Sequence, residues 1–315
     1  MNIGGIFGQV VSGRGGNAAV RLALRMCGGL AILCAAAALS GCALGGAPIL
    51  DPKGPVALAE RDLLFTAVGL MLIVIIPVFV MAGIFAWRYR AGGTGKYAPD
   101  WDYSGIVDAA IWLVPAAIVL ALGVALWQAT HRLDPYKQLD PTQSALEVEV
   151  VAQDWKWLFI YPEQGIASVN ELAFPAGKPL SLRITSDTVM NSFFIPALGG
   201  QIFAMAGMRT QLNLLADAPG QFMGRNTQYS GDGFADQHFT AIAMTDAEFE
   251  SWVAQAGQTG ESLDKAAYQE LAAPSIAHPV TYYSGVEEGL FDAIIAKYVH
   301  GERYVTHAEN VPEAD

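Results

Sequence analysis

Cysteine is missing from most of this chain. Of 315 residues only three are cysteine, Cys27, Cys34 and Cys42, all near the start. Everything downstream therefore lacks both a disulfide and a thiolate able to hold a metal. Charge is also scarce, with 15% of residues charged against 53% hydrophobic. That is too apolar for an ordinary soluble domain, and the chain is long enough for a membrane part plus one globular part. Basic residues thin out after the middle: residues 141–315 hold 8 Lys and Arg against 22 Asp and Glu, a net of −14. So acidic a segment disfavours nucleic acid as a partner and reads as a solvated surface. No repeat, phosphate-binding loop or catalytic triad is present to support independent enzyme chemistry.

What is present begins with an address. Arg14, Arg21 and Arg25 precede an apolar run, Cys27 to Leu39, that ends in Leu39-Ser40-Gly41-Cys42. A basic start, a short apolar stretch and small residues describe a secretory signal rather than a spanning helix. The final four residues also resemble the lipobox of bacterial lipoproteins. That resemblance implies removal of residues 1–41 and lipid attachment at Cys42. Such an acyl anchor would supplement other membrane attachment.

Two spans follow a segment at 42–62. Leu63 to Trp87 contains no Asp, Glu, Lys or Arg. As a helix its 25 residues reach roughly 37 Å, enough to cross a bilayer with some tilt. The second span is predicted at 108–130, uncharged from Ala109 to Thr130. Pro77 and Pro115 interrupt these runs, which fits burial against neighbouring helices better than solitary anchoring. The loop between them, 88–107, carries Arg88, Arg90 and Lys96 and reads as cytosolic, which returns the chain to the outside. Asp108 opens the second span, where the helix dipole favours a carboxylate.

From Ala145 the period changes. ALEVEVV alternates, and WKWLFIY, PLSLRIT, TQLNLLA and HFTAIAM follow as short β-like runs between turn residues. Residues 131–244 are thus predicted to form a β-sandwich or barrel. Trp155 and Trp157, two residues apart, are expected on one face of a strand, packed in the core or against another subunit. Helices return over 245–300. Thr245 and Glu248 make a capping box ahead of Phe249, Trp252, Val253 and Ala256 on one face. Val286, Leu290, Phe291, Ile294, Ile295 and Tyr298 make a second apolar face, and 301–315 is a polar tail.

The stretches DWKWLFIYPEQGIASVNELAFPAG, VMNSFFIPALGGQIFAMAGM and YSGDGFADQHFTAIA resemble subunit 2 of the haem-copper bo-type ubiquinol oxidases. The resemblance covers roughly residues 42 to 300. It implies a two-helix transmembrane hairpin followed by a cupredoxin-like sandwich with C-terminal helices, the sandwich facing the periplasm of a bacterial inner membrane. It further implies oxidase subunit 1, with the haems and copper, as partner, beside subunits 3 and 4 and membrane lipid. Such a complex oxidises ubiquinol, reduces dioxygen to water and pumps protons. Members often carry a Glu near a proton-uptake path where this chain has Asp108, one methylene shorter.

In the sister cytochrome c oxidases the same domain holds a binuclear copper centre. Laid on that pattern, the first His falls on Asn191, the two Cys on Tyr229 and Gly233, and the Glu on Gly231. The second His falls on Gln237 and the Met on Thr240, whereas the framework residues Ser230 and Phe239 are retained. A two-copper centre needs bridging thiolates, which Met205, Met208 and Met244 cannot replace. His238, isolated beside the second-His position, reads as a surface or structural residue. The expectation is a domain without bound metal, so that a membrane quinol reduces the large subunit directly. Two rivals stand against it: a cytochrome c oxidase subunit with a copper site, and a free-standing membrane-anchored scaffold lipoprotein.

Overall fold

All the strands come after two long helices, α1 (Pro55–Arg88) and α2 (Gly105–Arg132), in a computed structural model that describes residues 47–93, 95, 100 and 103–299. The signal segment 1–41, Cys42 and the tail 301–315 lie outside the described residues. At 1.5 Å per residue α1 and α2 are about 51 and 42 Å long, each more than a hydrocarbon core requires. Their most apolar windows have mean hydropathies of 2.9 and 2.5 and bury nothing within the chain. Helices this apolar and this exposed need lipid or another protein around them.

Helix α1 starts ahead of the uncharged run because the sandwich holds its first turn. Lys53 N donates to Ala197 O at 2.8 Å, Ala57 N donates to Leu198 O at 3.2 Å, and the Ala57 side chain is buried. The C-terminal end of α2 is fastened similarly. Asn213 donates to Pro135 O from its backbone N at 3.1 Å and its Nδ2 at 2.9 Å. Both helices thus meet the β-rich domain that follows at defined points.

That domain is the expected sandwich. One sheet has six strands in the order β12 (Thr281–Tyr283), β3 (Ile166–Val169), β2 (Lys156–Tyr161), β1 (Leu146–Gln153), β5 (Leu180–Ser186), β8 (Thr210–Leu214). The other has five, in the order β4 (Glu171–Pro175), β10 (His238–Met244), β9 (Gly220–Asn226), β6 (Asn191–Phe194), β7 (Ile202–Ala204). Alternation in β1 turns Val148, Val150 and Ala152 towards the facing sheet, and β5 adds Leu182 and Ile184. At the centre Trp157, Phe159, Phe193 and Phe239 pack ring to ring, with Phe193 stacked on Phe239 at 5.0 Å and Trp157 edge-on to Phe193 at 5.3 Å. Each such buried ring contributes about 1.5–3 kcal/mol by leaving water.

Every residue of β2 is buried, because its outer face is covered as well. Leu158 and Ile160 on β2 and Val151 on β1 meet Tyr268 and Leu271 of α4 (Lys265–Leu271) and Phe291 and Ile294 of α5 (Leu290–Val299). Helix α3 (Asp246–Ala256) closes one side of the inner core with Phe249 and Ala256, and it starts with the complete capping box between Thr245 and Glu248. A short ladder of β11 (Ser262–Leu263) with β13 (Gly285–Val286) joins the last helices.

The tryptophan expectation needs correction. Trp157 lies on β2 with its ring in the core, but Trp155 belongs to the turn before it, at φ 64°. The β1–β2 hairpin turns through Asp154 and Trp155, so the two rings do not share a strand face.

Candidate functional site

The loop quoted above leaves β9 at Asn226 and enters β10 at His238, and a bond from Asn226 N to Gln237 O at 3.0 Å closes its neck. Inside the neck three buried amides face one another. Asn226 Nδ2 donates to Asn191 Oδ1 at 2.7 Å and to Gln237 Oε1 at 2.8 Å, and Gln237 Nε2 donates to Asn191 Oδ1 at 3.0 Å. The Ser230 hydroxyl adds a bond to Gln237 Oε1 at 2.7 Å. On the far side Asn191 Nδ2 donates to Val189 O at 2.8 Å and Asn226 Oδ1 accepts from Ser192 N at 2.8 Å. The cluster is neutral, and its members satisfy one another, which is what burial of amides demands.

Trp155 roofs this arrangement. Its Nε1 donates to Ser230 O at 3.1 Å, and its ring lies on the backbone of Gly233. A Cβ at Gly233 would stand 2.4 Å from the indole, so any larger residue would have to displace the ring. The positive φ of Trp155 is held by these contacts, an uncommon conformation for a bulky residue.

Of the positions aligned with copper ligands, Asn191 and Gln237 come into direct contact, and Gly233 lies beneath the tryptophan beside them. Gly231 sits next to it at φ 107°. Tyr229 points outward, 70% exposed, with its ring 5.7 Å from Phe234. Thr240 is exposed on β10 opposite Met223, away from the amides. His238 is exposed opposite Arg225. The donors gathered at the neck are amides and a hydroxyl, with neither thiolate nor imidazole among them. Among the described residues no three His, Cys, Asp or Glu side chains come together as a metal site would need. Sequence reasoning missed Asn226, whose partners are 35 and 11 positions away, and the roof that Trp155 makes.

Val189, Met190, Phe203 and Tyr229 flank residues bonded into the cluster, by sequence or by strand register, and all are exposed. Asp108 is exposed in the first turn of α2, far along the helix from Pro135.

A second polar cluster lies under the C-terminal helices. Asp187, whose side chain is 2% exposed, accepts from Tyr268 Oη at 2.7 Å, Tyr298 Oη at 2.8 Å and Lys297 Nζ at 2.8 Å. Burial, then the adjacent carboxylate, pushes the Tyr268 phenol far above its ordinary range. Nearby Lys156 is fully buried, with Nζ donating to Ala273 O at 2.8 Å. Desolvation pulls its ammonium down to about 8, against a smaller opposing pull from Asp154. Glu171 ties α3 to β12, accepting from Trp252 Nε1 at 2.9 Å and Tyr282 Oη at 2.6 Å, and burial with this contact pushes Tyr282 up to about 12.

Comparison with known proteins places these parts. Residues 162–244 match the family described as cytochrome c oxidase subunit II, periplasmic domain, and residues 258–302 match the COX aromatic rich motif. Cytochrome bo(3) ubiquinol oxidase subunit 2 of Pseudomonas putida is 50% identical over 261 residues, 82% of each chain. Ubiquinol oxidase subunit 2 of Acetobacter aceti is 50% identical over 272 residues, covering 85% of this chain and 87% of that one. Quinol oxidase subunit 2 of Bacillus subtilis is 37% identical over 277 residues, 87% and 83% respectively. The periplasmic domain of cytochrome oxidase subunit II from Bradyrhizobium japonicum superposes on 36% of this chain and 94% of its own, at 26% identity and a TM-score of 0.34.

Proposed function

Because this chain belongs to the subunit 2 family of haem-copper ubiquinol oxidases, we propose that its exported domain serves the complex as a copper-free cap on the catalytic subunit. The complex is a quinol:oxygen oxidoreductase, and a haem-copper subunit 1 is the partner that a subunit 2 implies. The chain is membrane-anchored through its two apolar helices. Our finer reading places it in a bacterial inner membrane with the sandwich in the periplasm, Cys42 lipidated, and subunits 3 and 4 alongside. The complex, on this reading, reduces dioxygen to water and pumps protons.

One observation carries the copper-free reading: the closed amide cluster of Asn191, Asn226 and Gln237, roofed by Trp155. Thiolates hold Cu(I) and bridge two coppers, and the sequence has no cysteine after Cys42 to supply them. The amides are engaged with one another, and Gly233 has no room for a thiol while the indole lies on it. With no relay in the exported domain, electrons pass from membrane quinol to the large subunit directly. The domain then acts through shape. It covers subunit 1, and the bonds from Lys53 and Ala57 to its Ala197 and Leu198 carbonyls, with those from its Asn213 to Pro135 O, hold α1 and α2 against the domain.

The test is copper analysis and near-infrared absorbance of the full chain after separation from subunit 1. We expect no bound copper and no copper band, together with ubiquinol oxidation by the intact complex and no oxidation of a soluble cytochrome. Stoichiometric copper in the chain would overturn the reading. The same reading makes Asp108 a proton-uptake entrance at the end of α2 away from the sandwich. Asp108→Asn should lower turnover and proton uptake together, and unchanged values would remove the role.

A further inference from the structure

Helix α1 is fixed to the sandwich at its start, so Arg88 lies at the opposite end of a rod about 51 Å long. At that far end the chain encloses a groove of about 660 Å³ that the oxidase reading leaves unused. One wall is a strip of helix, Phe79, Val80, Gly83 and Ile84, whose spacing places them side by side. Phe79 is 73% exposed, so the strip has no cover among the described residues. The mouth holds Trp87, Arg88 and Arg90.

The groove is shaped by a returning turn. Gly93 N donates to Arg90 O at 2.7 Å and Gly95 N to Arg88 O at 3.2 Å, folding the chain against the helix end. A Cβ at Gly93 would stand 2.4 Å from Arg88 O, so only glycine permits this approach. Arg90 is held over Trp87, its guanidinium carbon 4.0 Å from the ring centroid and its Nη1 donating to Trp87 O at 3.3 Å. The first carboxylates after the helix are Asp100 and Asp102, and neither Arg88 nor Arg90 forms an ion pair among the described residues.

We propose that this groove binds one anionic phospholipid of the cytosolic leaflet, with its phosphate at Arg88 and Arg90 and an acyl chain along Phe79, Gly83 and Ile84. Charge and shape single out this occupant. A free phosphate would leave the apolar strip wet, and a neutral apolar partner would leave two cations uncompensated at the edge of a low-dielectric layer. An anionic lipid meets both needs, at the depth where Trp and Arg mark the interface. The inference rests on the membrane topology and not on the oxidase chemistry, so it can fail without touching the copper-free reading.

The experiment uses the intact complex in nanodiscs of mixed phosphatidylglycerol and phosphatidylcholine, with retained lipid counted by native mass spectrometry. Phosphatidylglycerol should be retained in preference, and the double variant Arg88→Gln, Arg90→Gln should lower that retention roughly tenfold or more, leaving phosphatidylcholine unchanged. Gly83→Leu keeps both cations and grows into open space, since nothing lies within 4 Å of its Cβ position. It should obstruct the acyl wall and reduce retention of either lipid. Retention untouched by both variants would overturn the proposal. Displacement of the lipid by millimolar inorganic phosphate would show a simple anion site instead. Efficient crosslinking of Gly83→Cys to subunit 1 would show a protein occupant, and either result also overturns it.

Discussion

The sandwich contains two buried polar clusters of opposite character, only a few residues apart along the chain. The first, Asn191, Asn226 and Gln237, is neutral and closed on itself. The second, around Asp187, is charged and gathers its partners from α4 and α5, more than eighty positions away. The hairpin 153–156 touches both: Trp155 roofs the neutral cluster, and Lys156 reaches Ala273 beneath the C-terminal segment. The difference teaches what each is for. Amides that satisfy one another hold a loop in place with no charge to be neutralised. A buried carboxylate binding three donors fastens one piece of chain onto another, at the cost of desolvating a charge that becomes a liability once its partners leave.

The sharpest way to break this contrast is Asp187→Ala. It strands Tyr268 Oη and removes the carboxylate that holds Lys297, leaving Tyr298 Oη only the backbone carbonyl of residue 187 at this position, so we expect a loss of about 3 kcal/mol or more in thermal or denaturant unfolding. The loss should be local in character, with protease cutting in 258–299 long before the sandwich opens. If α5 stays protected, the carboxylate does not fasten the cover. Gln237→Ala probes the other cluster. It takes away one acceptor of Asn226 Nδ2, which keeps Asn191 Oδ1, and the acceptor of the Ser230 hydroxyl, which should cost about 2 kcal/mol. Because amides do not titrate, that penalty should be the same at pH 5 and pH 8. A penalty that varies with pH would mean a charged group participates.

How much of this was legible in the sequence depends on whether the signal is local. The alternation in Leu146–Val150 and the capping box at Thr245 and Glu248 are written in neighbouring residues, and both elements form as read. Strand β9, GQFMGRN, escaped because only Gly224 and Asn226 in it are buried and it bears two glycines, with no apolar run to betray it. Its ladder with β10 defines it instead. Helix α4 is only seven residues long and lacks a full apolar period. At the site, the family resemblance marked Asn191 and Gln237 from a loop pattern. It could not supply Asn226, which joins them only through strand pairing, nor the turn that swings Trp155 off the strand face. Polar clusters assembled from distant positions have no one-dimensional signature beyond amide-rich strand ends.

The smallest expected effect concerns Lys156, which stands between the two clusters. Its ammonium titrates near 8 in the folded chain, with burial the main cause, against an ordinary lysine value of about 10.4 when unfolded. Between those values the unfolded chain binds more protons than the native one, so stability rises with pH across that window and the penalty is fully present below it. Lys156→Met keeps the length of the side chain and removes the titration. The wild type should therefore gain on the order of 1–2 kcal/mol relative to this variant between pH 7.5 and 9.5, an interval in which neither Tyr268 nor Tyr282 ionises. Below pH 7 the variant trades a desolvated charge for the lost bond to Ala273 O, so the two chains should differ by little there. Parallel stability curves for the two chains would show that the amine is hydrated, and that the hairpin's link to the C-terminal cover is packing alone.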